Sequence, residues 1–172
     1  ADALHLALAR ALQDASVVLP GEDIADYQGA FRVTRDLYER FGAERVRNTP
    51  ISENGIVGAG VGAALTGLRP VVEIMFMDFL LLGLDQLGNH AAKFSYIFGG
   101  QARVPLTLRT PAGGRRGYGA THSQCFESLL LAIPGLKVFT PATVQDAYDL
   151  LLAAVFADAP VALVEHKLLY GR

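Results

Sequence analysis

One cysteine, Cys125, stands in a chain of 172 residues. A single thiol forms no internal disulfide, so the fold is expected to rest on its core and to suit a reducing, cytoplasmic compartment. No apolar run is long. The longest, Phe79 to Leu84, falls far short of the roughly 20 residues that cross a bilayer. Neither sign of charge predominates, and the formal net charge of −2 makes no electrostatic case for nucleic acid or an anionic membrane surface. Ala1 to Ala15 is amphipathic and lacks a basic stretch, so no secretory signal is expected there. No internal repeat or low-complexity linker is visible. The four histidines, His5, His90, His122 and His166, are scattered and show no paired metal spacing. There is no GxxxxGK[ST] loop. Gly58-Ala59-Gly60 lies in a small-residue segment before a strand instead of after one, so it is no dinucleotide fingerprint. The chain therefore shows no device for holding a diphosphate.

What is present is a foldable composition: 51% hydrophobic and 19% charged, enough for one globular domain with a full core. Helical spacing predicts helices over 2–14, 34–41, 53–67, 78–96, 123–132 and 144–156. Apolar, β-branched runs predict strands over 16–19, 45–47, 70–75, 104–109, 136–139 and 161–164. Strands and helices alternate, and the strands are apolar throughout. That pattern implies an α/β fold, a single three-layer domain over 1–172 whose mostly parallel sheet carries helices on both faces. Ligands of such sheets sit beyond the carboxyl ends of the strands. The approach to Glu53, the segment Met75 to Phe79 and the loop Thr110 to His122 belong there.

The chain is organised around Thr49 to Ala64, where one acid, Glu53, opens a run of small apolar residues. Pro50 marks a break, Ser52 is a cap type, and Glu53 falls in the first helical turn. Gly58 and Gly62 share a helix face and predict a close approach of another helix. A lone carboxylate beside an apolar seam is a candidate proton carrier. His122 ends a glycine-rich loop that contains Arg115 and Arg116, and histidine titrates near neutrality. Met75 to Phe79 offers a ring and thioethers to a flat ligand. By residue type alone these also read as a helix cap, a surface histidine and plain core. Cys125, three residues after His122, lacks a third orienting group and reads as helix packing, not as a nucleophile. Asp85 and Lys93 read as solvated or paired charges on the long helix.

In order, Gly21-Glu22-Asp23, Phe31-Arg32-Val33-Thr34, Thr49-Pro50-Ile51-Ser52-Glu53, Gly67-Leu68-Arg69-Pro70-Val71, Asp85-Gln86, Ala91-Ala92-Lys93, His122-Ser123-Gln124, Pro134-Gly135-Leu136-Lys137-Val138 and Glu165 to Tyr170 resemble the β subunit of thiamine-diphosphate-dependent 2-oxo acid dehydrogenases, in its transketolase-like pyrimidine-binding domain. These segments span nearly the whole chain. The resemblance implies thiamine diphosphate as cofactor and an active site completed by an α-type E1 subunit in an α2β2 heterotetramer. Decarboxylation of a 2-oxo acid, or cleavage of an acyloin, would pass the acyl group to an acceptor such as a lipoyl acyltransferase. Glu53 matches the glutamate that hydrogen-bonds the aminopyrimidine and promotes its tautomerisation. Phe79 matches the ring that stacks on the pyrimidine, with Met75 nearby, and His122 matches the active-site histidine. Mg2+ and the diphosphate would sit on the partner, which carries a Gly-Asp-Gly motif absent here. A structural K+ is implied on the carbonyls of Leu106, Ala154, Val155, Ala157 and Ala159, although Phe156 to Pro160 departs from the family's Arg-Asp-x-x-Pro. Thr121 stands where many members have Gln. The family's second domain does not follow Arg172, so a fragment or a naturally split enzyme is expected. A non-catalytic scaffold or regulatory domain of the same fold is the alternative.

Overall fold

Apolar strand runs separated by helices can pair in parallel only through crossovers, and that is what the chain does. A computed structural model describes residues 1–171. Its strands are β1 (Val17–Gly21), β2 (Val46–Asn48), β3 (Arg69–Glu73), β4 (Thr107–Ala112), β5 (Lys137–Phe139) and β6 (Val161–His166). They form one six-stranded sheet in the order β2-β1-β3-β4-β6-β5. Every pairing is parallel. The chain steps from β1 outward to β2 and then returns to β3 on the other side of β1. The strand order therefore reverses between β1 and β3, where a crevice opens at the carboxyl ends.

Successive strand side chains point to opposite faces, so each strand feeds two cores. Val72, Ile74, Leu106, Leu108 and Val164 pack on one face beneath α3 (Glu53–Leu65) and α4 (Leu80–Asp85), through Val57, Val61 and Leu80. Val17, Leu19, Val71 and Leu163 pack on the other, beneath α1 (Asp2–Ala11) and α7 (Val144–Val155), through Leu4, Leu8, Leu151 and Val155. The remaining helices are short: α2 (Leu37–Phe41), α5 (Phe94–Ile97) and α6 (Glu127–Leu131). The expected three-layer α/β architecture is the observed one. No helix among the described residues is long and apolar enough to cross a membrane.

Several expected boundaries move, each for a local reason. The helix expected from Thr34 starts at Leu37, because Asp36 adopts φ 56°, outside the helical region. The helix expected over 78–96 is broken into a 3-10 turn at Met77–Phe79, α4, a π-helical stretch at Gln86–Ala91, and α5. β4 runs past Pro111. The Arg109 carbonyl accepts from Ile74 N–H on the β3 side, and Pro111 faces the same side two residues on. β3 has ended by then, so the missing N–H of Pro111 costs no ladder bond. The helix expected from Ser123 begins at Glu127, since the N–H groups of Gln124 and Phe126 are taken by Asp78 Oδ1 (3.2 Å) and Met77 Sδ (3.2 Å).

The tight contact of α3 is also not where the glycine spacing places it. A Cβ on Gly62 would meet nothing within 4 Å, whereas one on Gly60 would lie 2.6 Å from Val72 Cγ2 and 2.9 Å from Leu106 Cδ1. Gly60 is thus what lets the helix lie down on the sheet. Gly58 faces the Gln86 side chain.

A buried ionic group crosses the sheet at the carboxyl ends. Arg109 on β4 donates through Nε and Nη2 to both oxygens of Glu165 on β6 (2.8 and 2.5 Å), and through Nη1 to Glu73 on β3. Tyr170 Oη donates to the same Glu165 carboxylate. All three charged side chains are almost fully buried. Burial works against the Arg109 charge, but Glu165 and Glu73 outweigh it and hold the guanidinium firmly protonated. Burial pushes the Glu73 carboxyl up, while Arg109 opposes the shift.

Two outcomes follow from this packing. Gly60→Ala should lower stability by about 1–3 kcal/mol through overpacking, while Gly62→Ala should raise it by about 1 kcal/mol through helix propensity; urea midpoints of the two variants check the contrast. Arg109→Met leaves two carboxylates buried and unpaired and should cost about 3–5 kcal/mol in the same measurement.

Candidate functional site

Each candidate side chain leaves the carboxyl end of a parallel strand. Glu22 directly follows β1. Glu53 opens α3 four residues beyond the Thr49 that ends the β2 crossing, where Thr49 N–H bonds the Gly21 carbonyl (3.0 Å) and ties the two strand ends together. Phe76 and Phe79 follow β3, His122 follows β4, and Lys167 follows β6. The three loops that sequence reasoning assigned to this end of the sheet are there.

Glu53 is buried at the first turn of α3, where the exposed N–H groups of a helix favour a negative charge. The long helix was expected to start at Asp78; its first α-helical piece, α4, lies against Glu53. Gly83 of α4 rests on the backbone of Glu53, so close that a Cβ there would meet the Glu53 carbonyl oxygen at 3.1 Å and Val57 Cγ2 at 2.8 Å. Phe79 sits immediately before α4.

Glu22 was quoted in the sequence only as part of a matching segment, yet it is a second buried acid beside Glu53. Its Oε1 has no hydrogen-bond partner among the described residues, and neither does the nearby Thr49 Oγ1. Burial pushes the Glu22 carboxyl above the ordinary glutamate range, and the Glu53 charge adds to the shift. A Ser52 backbone hydrogen bond opposes it.

The ring cluster is built on Phe76. Its ring packs edge-on with His122 (4.7 Å between centroids), Phe31 (5.6 Å), Tyr118 (5.9 Å) and Phe79 (6.1 Å). His122 also stands edge-on to Phe79 at 5.1 Å. Phe76 is buried, while Met75, Phe79 and His122 remain half-buried, leaving ring surface open at the rim. His122 Nδ1 lies 3.0 Å from Thr121 Oγ1. Thus Phe79 and His122 come together directly, and α4, which follows Phe79, packs on the Glu53 backbone through Gly83. Phe76 and Lys167 were not singled out by sequence. Aromatic and lysine residues at strand ends have no distinguishing period, so only their position after an apolar run hints at them.

Other candidates lie elsewhere or are already engaged. Cys125 is exposed ahead of α6 and is not helix packing. Asp85 holds Asn89 Nδ2 at 2.7 Å, and Lys93 Nζ donates to the Pro134 carbonyl at 2.6 Å. Arg116 donates to the Lys167 carbonyl at 3.2 Å. Four of the five carbonyls named for K+ accept hydrogen bonds within the chain. Arg69 Nη1 reaches those of Val155 (3.2 Å) and Ala157 (3.0 Å). Leu106 accepts from Val161 N–H and Ala154 from Ala157 N–H. Asp158 binds Arg69 and Arg103 (2.8 Å each). Arg69 and Arg103 thus place positive charge at this turn.

Because Glu22 holds its proton more firmly folded than unfolded, its stability contribution is complete below the ordinary glutamate value and is lost as pH rises through the raised folded value. Glu22→Gln mimics the protonated form and keeps the acceptor for Ser52. Its Tm should exceed that of the parent by a few degrees near pH 7 (about 2–4 °C per kcal/mol at this chain length) and match it near pH 4. Thermal scans at the two pH values check the sign.

The model of the family described as "Transketolase, pyrimidine binding domain" matches residues 1–172. The chain is 46% identical over 171 residues to "Pyruvate dehydrogenase E1 component subunit beta-1, mitochondrial" of Oryza sativa subsp. japonica, covering 99% of this chain and 46% of the relative. It is 46% identical over 172 residues to "Pyruvate dehydrogenase E1 component subunit beta" of Rhizobium meliloti (strain 1021), covering 99% of this chain and 37% of the relative. The chain thus spans about half or less of these relatives' length. In fold it is similar to a solved structure described as "Split gene transketolase, inactive beta4 tetramer", with a TM-score of 0.77 at 19% identity, covering 96% of this chain and 50% of that one. The family model matches the chain from end to end, so the chain belongs to the family of the transketolase pyrimidine-binding domain.

Proposed function

We propose that this chain is the pyrimidine-binding half of a thiamine-diphosphate enzyme of the E1 β type, which decarboxylates a 2-oxo acid and passes the acyl group onward. The reading rests on one observation: a buried acid pair, Glu22 and Glu53, and an open ring pair, Phe79 and His122, share the carboxyl end of one sheet. The names of the relatives make pyruvate the first substrate to test.

The residues fit an aminopyrimidine. Glu53, buried at a helix start, is placed to hold or give a proton at a ring nitrogen. The Glu53 charge adds to the burial that raises the Glu22 carboxyl, so the two acids are electrostatically coupled. Phe79 and Met75 offer apolar surface to a flat ring. His122, on the Phe79 ring, moves a proton or stabilises an anion on the substrate side. When bound, thiamine diphosphate supplies a nucleophilic carbon and an electron sink for decarboxylation. Its diphosphate and Mg2+ are assigned to an α-type partner, in an α2β2 assembly. Transfer to a lipoyl acyltransferase and the cleavage of acyloins belong to the same reading. The outer side of α3, where Gly62 is exposed and Ile51 is 84% exposed, is assigned to the seam with the partner. A scaffold would have no use for a buried acid pair next to an open ring pair.

The decisive experiment is 2-oxo acid-dependent dye reduction with thiamine diphosphate and Mg2+, using the full natural chain co-expressed with the protein encoded beside it. Activity is expected only from the mixture, and Glu53→Gln should reduce it on the order of 10²-fold or more. Equal activity of the Glu53→Gln assembly would remove the role given to that acid. A stable, cofactor-loaded but inactive assembly would favour the scaffold.

A further inference from the structure

The loop that carries His122 has little backbone to hold it. Between Gly113 and Gln124 the chain takes positive φ at Gly113, Arg115, Gly117 and Gly119. One backbone hydrogen bond, Gly113 N–H to the Gln124 carbonyl (3.3 Å), closes its base. The only regular piece is the 3-10 turn Ala120–His122. A loop of this kind samples many conformations unless side chains from elsewhere pin it.

Two distant side chains do so. Lys167, just beyond β6, is fully buried. Its Nζ donates to the His122 backbone carbonyl and lies 4.9 Å from the centroid of Phe76 and 5.9 Å from that of Tyr118. Asp78, in the turn beyond β3, accepts from the N–H and the Nε2 of Gln124 through Oδ1 (3.2 and 2.9 Å). Its buried Oδ2 has no hydrogen-bond partner among the described residues. Burial lowers the Lys167 pKa, and the Asp78 charge opposes that shift. A buried cation is costly, and an apolar side chain of similar volume would fill the same space at less cost. The cation is therefore matched to something beyond packing: a carbonyl that must stay in one place, above a ring that favours positive charge over its face.

We propose that Lys167 is a positioning residue for His122: its ammonium, bonded to the His122 carbonyl while Asp78 anchors Gln124 at the end of the loop, holds the imidazole edge-on to Phe76 and Phe79. The catalytic consequence rests on the function proposed above, while the positioning itself does not. If His122 acts on a ligand at Phe79, the precision of that action comes from a lysine 45 residues away in sequence.

Imidazole C–H NMR of the chain tests the placement without reference to activity. His122 is assigned as the signal missing in His122→Gln, and the Phe76 and Phe79 rings should displace it from its free position. In Lys167→Met the displacement should fall by half or more, with the His5 and His90 signals unmoved and the thermal midpoint preserved. Lys167→Arg, which keeps charge and donors, should restore most of it. Should the methionine variant not fold, Lys167→Gln takes its place and the same displacement is read. An unmoved His122 signal in either folded, uncharged variant overturns the proposal. In the assembled enzyme, Lys167→Met should lower kcat about tenfold or more, with the cofactor Kd unchanged and partial recovery in Lys167→Arg; unchanged kcat beside a displaced NMR signal would show that positioning is real but catalytically idle. An inactive parent assembly would instead count against the proposed function and leave the NMR result standing.

Discussion

The arrangement depends on one buried ionic contact, Arg109 held between Glu73 and Glu165. It joins β3, β4 and β6 at their carboxyl ends, on the sheet face away from α3. Burying three charges is expensive and is tolerable only when the geometry is good and the remaining hydrogen-bonding capacity is met. Here the guanidinium makes a two-pronged bond to one acid and a single bond to the other, and Tyr170 Oη satisfies the first acid further. The contact therefore fixes the three strands against one another in register, and the loops that leave them start from the same end of the sheet.

From that end a continuous path leads to the candidate site. Tyr170 stacks on Phe31 (4.9 Å), Phe31 on Phe76, and Phe76 on His122 and Phe79. Lys167 sits over the same Phe76 ring. The ring cluster is thus an extension of the ionic layer and borrows its rigidity. On the other side of the switch point, Gly83 and Gly60 let α4 and α3 approach their neighbours closely, and this sets the depth at which Glu53 lies. Sites built on strand and helix ends are more exactly placed than sites on free loops. His122 is the exception that needs outside support.

Much of the fold was legible in the sequence. Alternation of apolar strands with helices, read at Val71-Val72 or Leu4 and Leu8, led to the parallel sheet, and the parallel sheet led to its carboxyl ends. The residues Glu53, Phe79 and His122 were placed at that end before any coordinates. Boundaries were less legible wherever a tertiary contact competes with local preference. Phe126 and Gln124 give their N–H groups to Met77 and Asp78 instead of to a helix. Pro111 stays in a strand because its neighbour has ended. The Gly58 and Gly62 spacing suggested a seam with a helix, and Gly58 does face Gln86, but Gly62 is open and the closest approach is Gly60 on the sheet.

By itself the sequence determined the order of elements, the face each apolar residue seeks and the end of the sheet that receives a ligand, because periodicity and turn chemistry act over a few residues. Tertiary structure alone decided that Glu22 comes within electrostatic reach of Glu53, that Arg69 bonds the Val155 and Ala157 carbonyls, that Phe76 gathers the rings and that Lys167 bonds the His122 carbonyl. Each of these joins residues far apart in the chain. Their meeting depends on strand register and on how closely helices approach the sheet, and neither quantity is written in any local pattern.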